Sequence, residues 1–237
     1  MFFPLRDYHP SGITPFITYG LLTANILAFI YQLILSNDVA AVLGSQMISE
    51  NQLLVFRYGF IPCRIFAECG IGFASAIEID FPAWVTIFSS MFLHGDFMHL
   101  AGNMLYLWIF GDNVEASFGH VKFLLFYVVC GVGAALAQAV LDLNSGIPMI
   151  GASGAISGVL AAYMFMFPQA KVLTFVWLLI FIRTILLPAS LILGIWFAIQ
   201  LFSAFTSGGG AEGGVAFMAH IGGFVLGALL FKLFQKQ

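Results

Sequence analysis

Ser153, His220, His99 and Asn103 are the residues whose types and settings can run chemistry in this chain. Ser153 sits in Gly151-Ala152-Ser153-Gly154-Ala155-Ile156-Ser157-Gly158, where its neighbours have almost no bulk and another backbone can approach its hydroxyl. Gly146 and Pro148 mark a loop just upstream, so the serine falls in the first turn of a helix. Free backbone N–H groups and the positive end of the helix dipole there suit a developing anion. His220 lies in Ala219-His220-Ile221-Gly222-Gly223-Phe224-Val225-Leu226-Gly227. Helical spacing puts Gly223 and Gly227 on its face, a small-residue groove with an imidazole at its rim. His99 and Asn103 are four apart and share one helix face. A serine beside a histidine is an activated nucleophile, and an asparagine with a second histidine supplies donors for an oxyanion. Read alone, each glycine motif is equally a helix-packing face.

The elements that must position these groups are membrane helices. Of 237 residues, 61% are hydrophobic and 8% charged, against about 25% charged in ordinary soluble chains. A net charge of −3 with no lysine-rich tract argues against a nucleic-acid partner. Met1 to Pro10 lack the pattern of a removable signal peptide. The expected fold class is all-α, a polytopic bundle of six spans over 14–35, 97–114, 122–141, 151–167, 188–205 and 214–234, in one domain over 1–237. Phe81 to Leu93 is apolar but short and reads as an interfacial or re-entrant approach. Val172 to Leu187 contains Arg183 and is expected to lie along the interface. Cys63 and Cys69 share a loop and can pair if it faces an oxidising compartment; Cys130 reads as a core residue.

Charge gives the expected orientation. Six spans leave both termini on one side, with Arg6, Lys122, Lys171, Arg183, Lys232 and Lys236. The other side has only Arg57 and Arg64 among several acids. The positive-inside rule then makes both termini cytoplasmic. Spans two, four and six all run inward, so His99, Ser153 and His220 share one depth, within roughly 10 Å of the outer ends at the helical rise. Ser153 would be the nucleophile and His220 its base, with no acid well placed to orient it: Asp96 looks too near the surface. A dyad is expected.

These motifs resemble the rhomboid family of intramembrane serine proteases. The chain is similar to that family in the GxSG motif at Gly151–Gly154, the AHxxGxxxG motif at Ala219–Gly227 and the HxxxN helix at His99–Asn103, followed by a turn at Gly111-Asp112-Asn113-Val114-Glu115. The resemblance implies a six-helix core and a cofactor-free endopeptidase that cleaves single-span proteins within or beside their transmembrane segment. It also implies Ser153 as nucleophile, His220 as base and His99 and Asn103 as oxyanion donors, with the fifth helix and the Gly208–Gly214 loop gating access. Many relatives carry an aromatic residue four positions after the serine, where this chain has Ser157. The expected partners are transmembrane substrates and the bilayer, in a prokaryotic cytoplasmic membrane with the site opening outward.

Two other classes stand beside this reading: an inactive relative that binds membrane clients, and a transporter or channel. The first would lack the serine or histidine. The second would show mid-span acids and an internal repeat. A zinc site of His94, His99 and His220 lacks a carboxylate ligand at suitable depth and an H-E-x-x-H motif, so no metal and no cofactor are expected. His94 and His120 read as interfacial histidines; Asn25, Gln32, Gln138 and Gln200 read as interhelical hydrogen-bond formers or interface residues.

Overall fold

Apolar runs without internal proline become the long helices, and Pro and Gly punctuate them. In a computed structural model describing residues 2–35, 38–43, 46–178, 181–206 and 216–236, the bundle consists of α1 (Phe16–Ile34), α6 (Phe97–Phe118), α7 (His120–Ala139), α8 (Ser153–Met166), α9 (Ala189–Thr206) and α10 (Phe217–Phe234). Between α1 and α6 lie the hairpin β2 (Val39–Leu43) and β3 (Gln46–Ser49), α2 (Glu50–Tyr58), and the single turns α3 (Cys63–Phe66), α4 (Phe73–Ala76) and α5 (Thr86–Ser89). Among the described residues, α1, α7, α9 and α10 are long and apolar enough to cross a membrane. The expected helices two and four are present as α6 and α8. However, α8 has only 14 residues and α6 ends in polar turns, so length and composition support four spans of the expected six.

Three expectations change. The molecule is mostly helical, but the all-α reading lacks two small sheets. Val172–Leu187, expected to lie along the interface, is no helix but the core of a hairpin, β4 (Lys171–Leu178) and β5 (Phe181–Pro188). The strand β1 (Phe2–Asp7) joins it, giving the antiparallel order β1-β4-β5. The alternation Val172, Thr174, Val176, all buried, against exposed Trp177 explains the strand. Finally, Gly111–Glu115 is not a turn; it stays helical, and α6 runs on to Phe118 before Gly119 breaks it at φ 84°. The Gly208–Gly214 loop lies outside the described residues.

Polar residues on α6 hold the bundle's sheet-bearing end. Glu115 is fully buried. Its carboxylate accepts from the backbone N–H groups of Ile17 (2.9 Å) and Thr18 (2.8 Å) and from the Thr18 hydroxyl (2.7 Å). The N-terminus of α1, which has no side-chain cap of its own, is therefore capped from another helix. His120 is no bystander at the interface, since its Nδ1 lies 2.5 Å from Glu115 Oε1. Asp7 at the end of β1 accepts from Tyr163 on α8 (2.6 Å) and Asn113 on α6 (2.8 Å). At the other end, Cys63 and Cys69 form a disulfide, and the Arg64 guanidinium donates to the carbonyls of Phe56, Ala74 and Ile77. Cys130 is free and buried, as expected.

The closest packing is between α8 and α10. A Cβ on Gly223 would lie 2.0 Å from the carbonyl oxygen of Gly154, and one on Gly227 would lie 2.5 Å from that of Gly158. Those obstacles are backbone and cannot rotate away. We expect Gly227→Ala to destabilise the protein by about 1–3 kcal/mol, as overpacking usually does. Gly20→Ala, inside α1 where a Cβ meets nothing within 4 Å, is expected to be neutral or to stabilise by up to about 1 kcal/mol, the helix preference of alanine over glycine. Thermal unfolding in detergent, side by side, checks the contrast.

Candidate active site

Ser153 is the first residue of α8. The preceding Gly151 has φ 122°, a region L side chains avoid, and its N–H donates to the Ser90 carbonyl at 2.9 Å. This turn delivers the serine at the helix start. No side chain caps α8, so the backbone N–H groups of its first turn face the site without a competing acceptor.

The α8–α10 contact then brings His220 to the serine. His220 Nε2 and Ser153 Oγ are 2.7 Å apart, a hydrogen bond between groups 67 residues apart in sequence. Ser157, one turn deeper and fully buried, donates to the Ser153 carbonyl at 2.7 Å; this is the usual back-bond of a helical serine. Trp196 of α9 flanks the imidazole instead, with ring centroids 5.9 Å apart. Gln200, one turn along α9, places Oε1 2.8 Å from His220 Nδ1.

His99 and Asn103 line the same cavity of about 660 Å³ as Ser153 and His220. The His99 ring packs over Gly151, where an added Cβ would be 2.8 Å from Nε2. Asn103 Nδ2 lies 2.9 Å from His94 Nε2, which leaves its second N–H available to the cavity. Asp96 does not reach His220: its carboxylate caps α6, accepting from the His99 N–H at 2.8 Å. All four expected site residues therefore share one chamber.

The sequence reading missed two supports. His94 is not interfacial but 1% exposed, with its ring against His99 at 5.0 Å between centroids. Gln32 of α1 clamps it, donating to the His94 carbonyl and accepting from its N–H, both at 3.0 Å. Gln200 was legible only as a polar residue in an apolar helix; its partner is 20 positions away, beyond any local pattern. Among the described residues no three His, Cys, Asp or Glu side chains converge as metal ligands. Chemically, the chamber offers a hydroxyl bonded to an imidazole, with amide and backbone donors nearby.

Residues 82–237 match the Rhomboid domain family. The chain is 32% identical over 163 residues to the mitochondrial Rhomboid protein 1 of Saccharomyces cerevisiae, covering 65% of this chain and 44% of that protein. It is 39% identical over 82 residues to the Rhomboid protease GluP of Bacillus subtilis, 35% of this chain and 16% of that one. To the Rhomboid protease AarA of Providencia stuartii it is 27% identical over 159 residues, 62% of this chain and 49% of that one. The chain thus spans less than half the length of each of these relatives. Names such as mitochondrial Rhomboid protein 1 and the chloroplastic Rhomboid-like protein 11 of Arabidopsis thaliana mean that the likeness does not support assigning a prokaryotic membrane.

Burial, and then the neighbouring His99, push His94 down from 6.5 to about 4. Its neutral form is the one clamped in the fold. Between pH 6.5 and about 4 the unfolded chain binds a proton that the native site refuses, so stability falls as pH drops through that window. We expect the thermal unfolding temperature to decline over that range and the decline to be shallower in His94→Gln. An unchanged slope in the variant would show that other groups carry the acid sensitivity.

Proposed function

The chain belongs to the rhomboid family, and on that premise we propose that it is an intramembrane serine endopeptidase using a Ser153–His220 dyad. The observation that carries the reading is the 2.7 Å hydrogen bond between Ser153 Oγ and His220 Nε2, at an uncapped helix start in a chamber with a few convergent polar groups among mostly apolar walls. In the first step Ser153 Oγ bonds to the scissile carbonyl carbon while its proton passes to His220 Nε2. The carbonyl oxygen becomes an oxyanion, held by Asn103 Nδ2, His99 and the N–H groups opening α8. Collapse breaks the C–N bond, and His220 returns the proton to the leaving nitrogen. Water then attacks the acyl-enzyme, giving its proton to His220 and expelling Ser153, which recovers that proton.

The substrates proposed are single-span membrane proteins cut within or beside the span, since the chamber opens among apolar helices. We take the six bundle helices as spans in one membrane domain over 1–237. The basic residues at the sheet-bearing end support a cytoplasmic location for both termini, with the site opening outward. The Cys63–Cys69 disulfide, at the opposite end from those residues, supports an oxidising compartment there. Retention of both dyad members favours catalysis over the inactive client-binding alternative.

We expect Ser153→Ala and His220→Ala to abolish cleavage of a single-span test substrate in detergent while leaving folding intact; turnover by either would sink the dyad. Asn103→Ala should slow cleavage by roughly 10–10³-fold, as loss of one oxyanion donor does; a full rate would reduce Asn103 to an interhelical contact. A fluorophosphonate should label wild type and Ser157→Ala but not Ser153→Ala, with the adduct read by mass spectrometry. EDTA should leave the rate unchanged; a loss restored by zinc would favour the three-histidine reading.

A further inference from the structure

We infer that Gln200 is a positioning residue that sets the tautomer of His220, so that α9 completes the base. The inference rests on the serine-protease reading and goes beyond the dyad. Gln200 is 7% exposed, and its two amide ends are not interchangeable. Its Nε2 faces the Trp196 carbonyl at 3.4 Å, a group that can only accept. That contact turns Oε1 towards His220 Nδ1, 2.8 Å away, and a carbonyl oxygen can only accept. Nδ1 must therefore carry the ring proton, which leaves Nε2 as a lone pair facing the Ser153 hydroxyl at 2.7 Å. The opposite tautomer would set Nε2–H against the serine and leave the Gln200 oxygen without its donor.

Trp196 and Gln200 are four apart on α9 and so share a face. One flanks the imidazole ring and the other bonds its edge. On α8, Ser157 is occupied by the Ser153 carbonyl; on α6, Asp96 is occupied by the helix start it caps. Among the described residues, the bonds that orient the imidazole come from Ser153 and Gln200 alone. An arrangement of α9 that separates Gln200 from His220 would also release the base from its productive tautomer.

The test combines kinetics with nitrogen-15 NMR of histidine-labelled protein in micelles. Gln200→Met keeps the length and apolar stem and removes the acceptor. We expect kcat to fall roughly 10- to 100-fold, on the scale of losing the partner that orients a metal-bound histidine, with KM within about twofold. In wild type, His220 should show a protonated Nδ1 and an unprotonated Nε2; in Gln200→Met the two tautomers should mix. Wild-type kcat in the variant, a loss confined to KM, or an unchanged tautomer signal would overturn the inference. Should Gln200→Met fail to fold, the wild-type spectrum alone decides: an Nε2–H tautomer refutes the role. Failure of the fluorophosphonate to label Ser153 in wild type would instead refute the protease reading itself.

Discussion

The structure depends on one contact, the backbone-to-backbone approach of α8 and α10. Gly154 and Gly158 on one helix face Gly223 and Gly227 on the other, so closely that a single methyl at Gly223 or Gly227 would overlap main-chain atoms. In a bilayer, helices gain little from hiding apolar surface from lipid that is equally apolar. Small residues that let main chains touch supply the dispersion contacts instead. The same approach sets the reach between Ser153 and His220. Stability and the candidate chemistry are thus consequences of one piece of packing, and the glycines at this contact cannot be tuned for one without the other.

Around that contact, polar side chains act as struts between segments far apart in sequence. Gln32 grips the main chain on both sides of His94, and His94 in turn holds Asn103. Glu115 caps α1 from α6. Asp7 ties β1 to α6 and α8. Within an apolar bundle an unmet donor or acceptor is expensive, so each strut tolerates few other arrangements. Such bonds fix where helices sit lengthwise and in rotation, which apolar packing alone leaves loosely defined.

This division explains what could be read from the sequence. Glycine and alanine spacing around Ser153 and His220 announces a local pattern, and helical periodicity turns it into a shared depth. The site was legible for that reason. The Val172–Leu187 hairpin was not, because a run of apolar β-branched and aromatic residues fits a buried strand or a membrane segment equally well. Its pairing partner, β1, lies about 170 residues upstream. His94 and Gln200 were misjudged or left generic for a similar reason. Their meaning is carried by partners on other helices, and a lone polar residue in an apolar run names no partner.

Among the described residues no acid lies beside His220, in keeping with the same environment. A carboxylate at Nδ1 would stabilise the imidazolium that the proposed attack forms, yet burying that charge among apolar helices carries a desolvation cost that often exceeds its Coulombic return. An amide oxygen accepts the same hydrogen bond, selects the same tautomer and remains neutral at every stage. It gives up part of the electrostatic assistance and keeps the orientation. In the proposed mechanism the burden of stabilising developing charge would then fall on the oxyanion side, where Asn103, His99 and the start of α8 line one chamber. On that reading a glutamine at position 200 and an uncapped helix at Ser153 are two halves of one solution: a neutral group orients the base, and the polar donors sit where negative charge would appear.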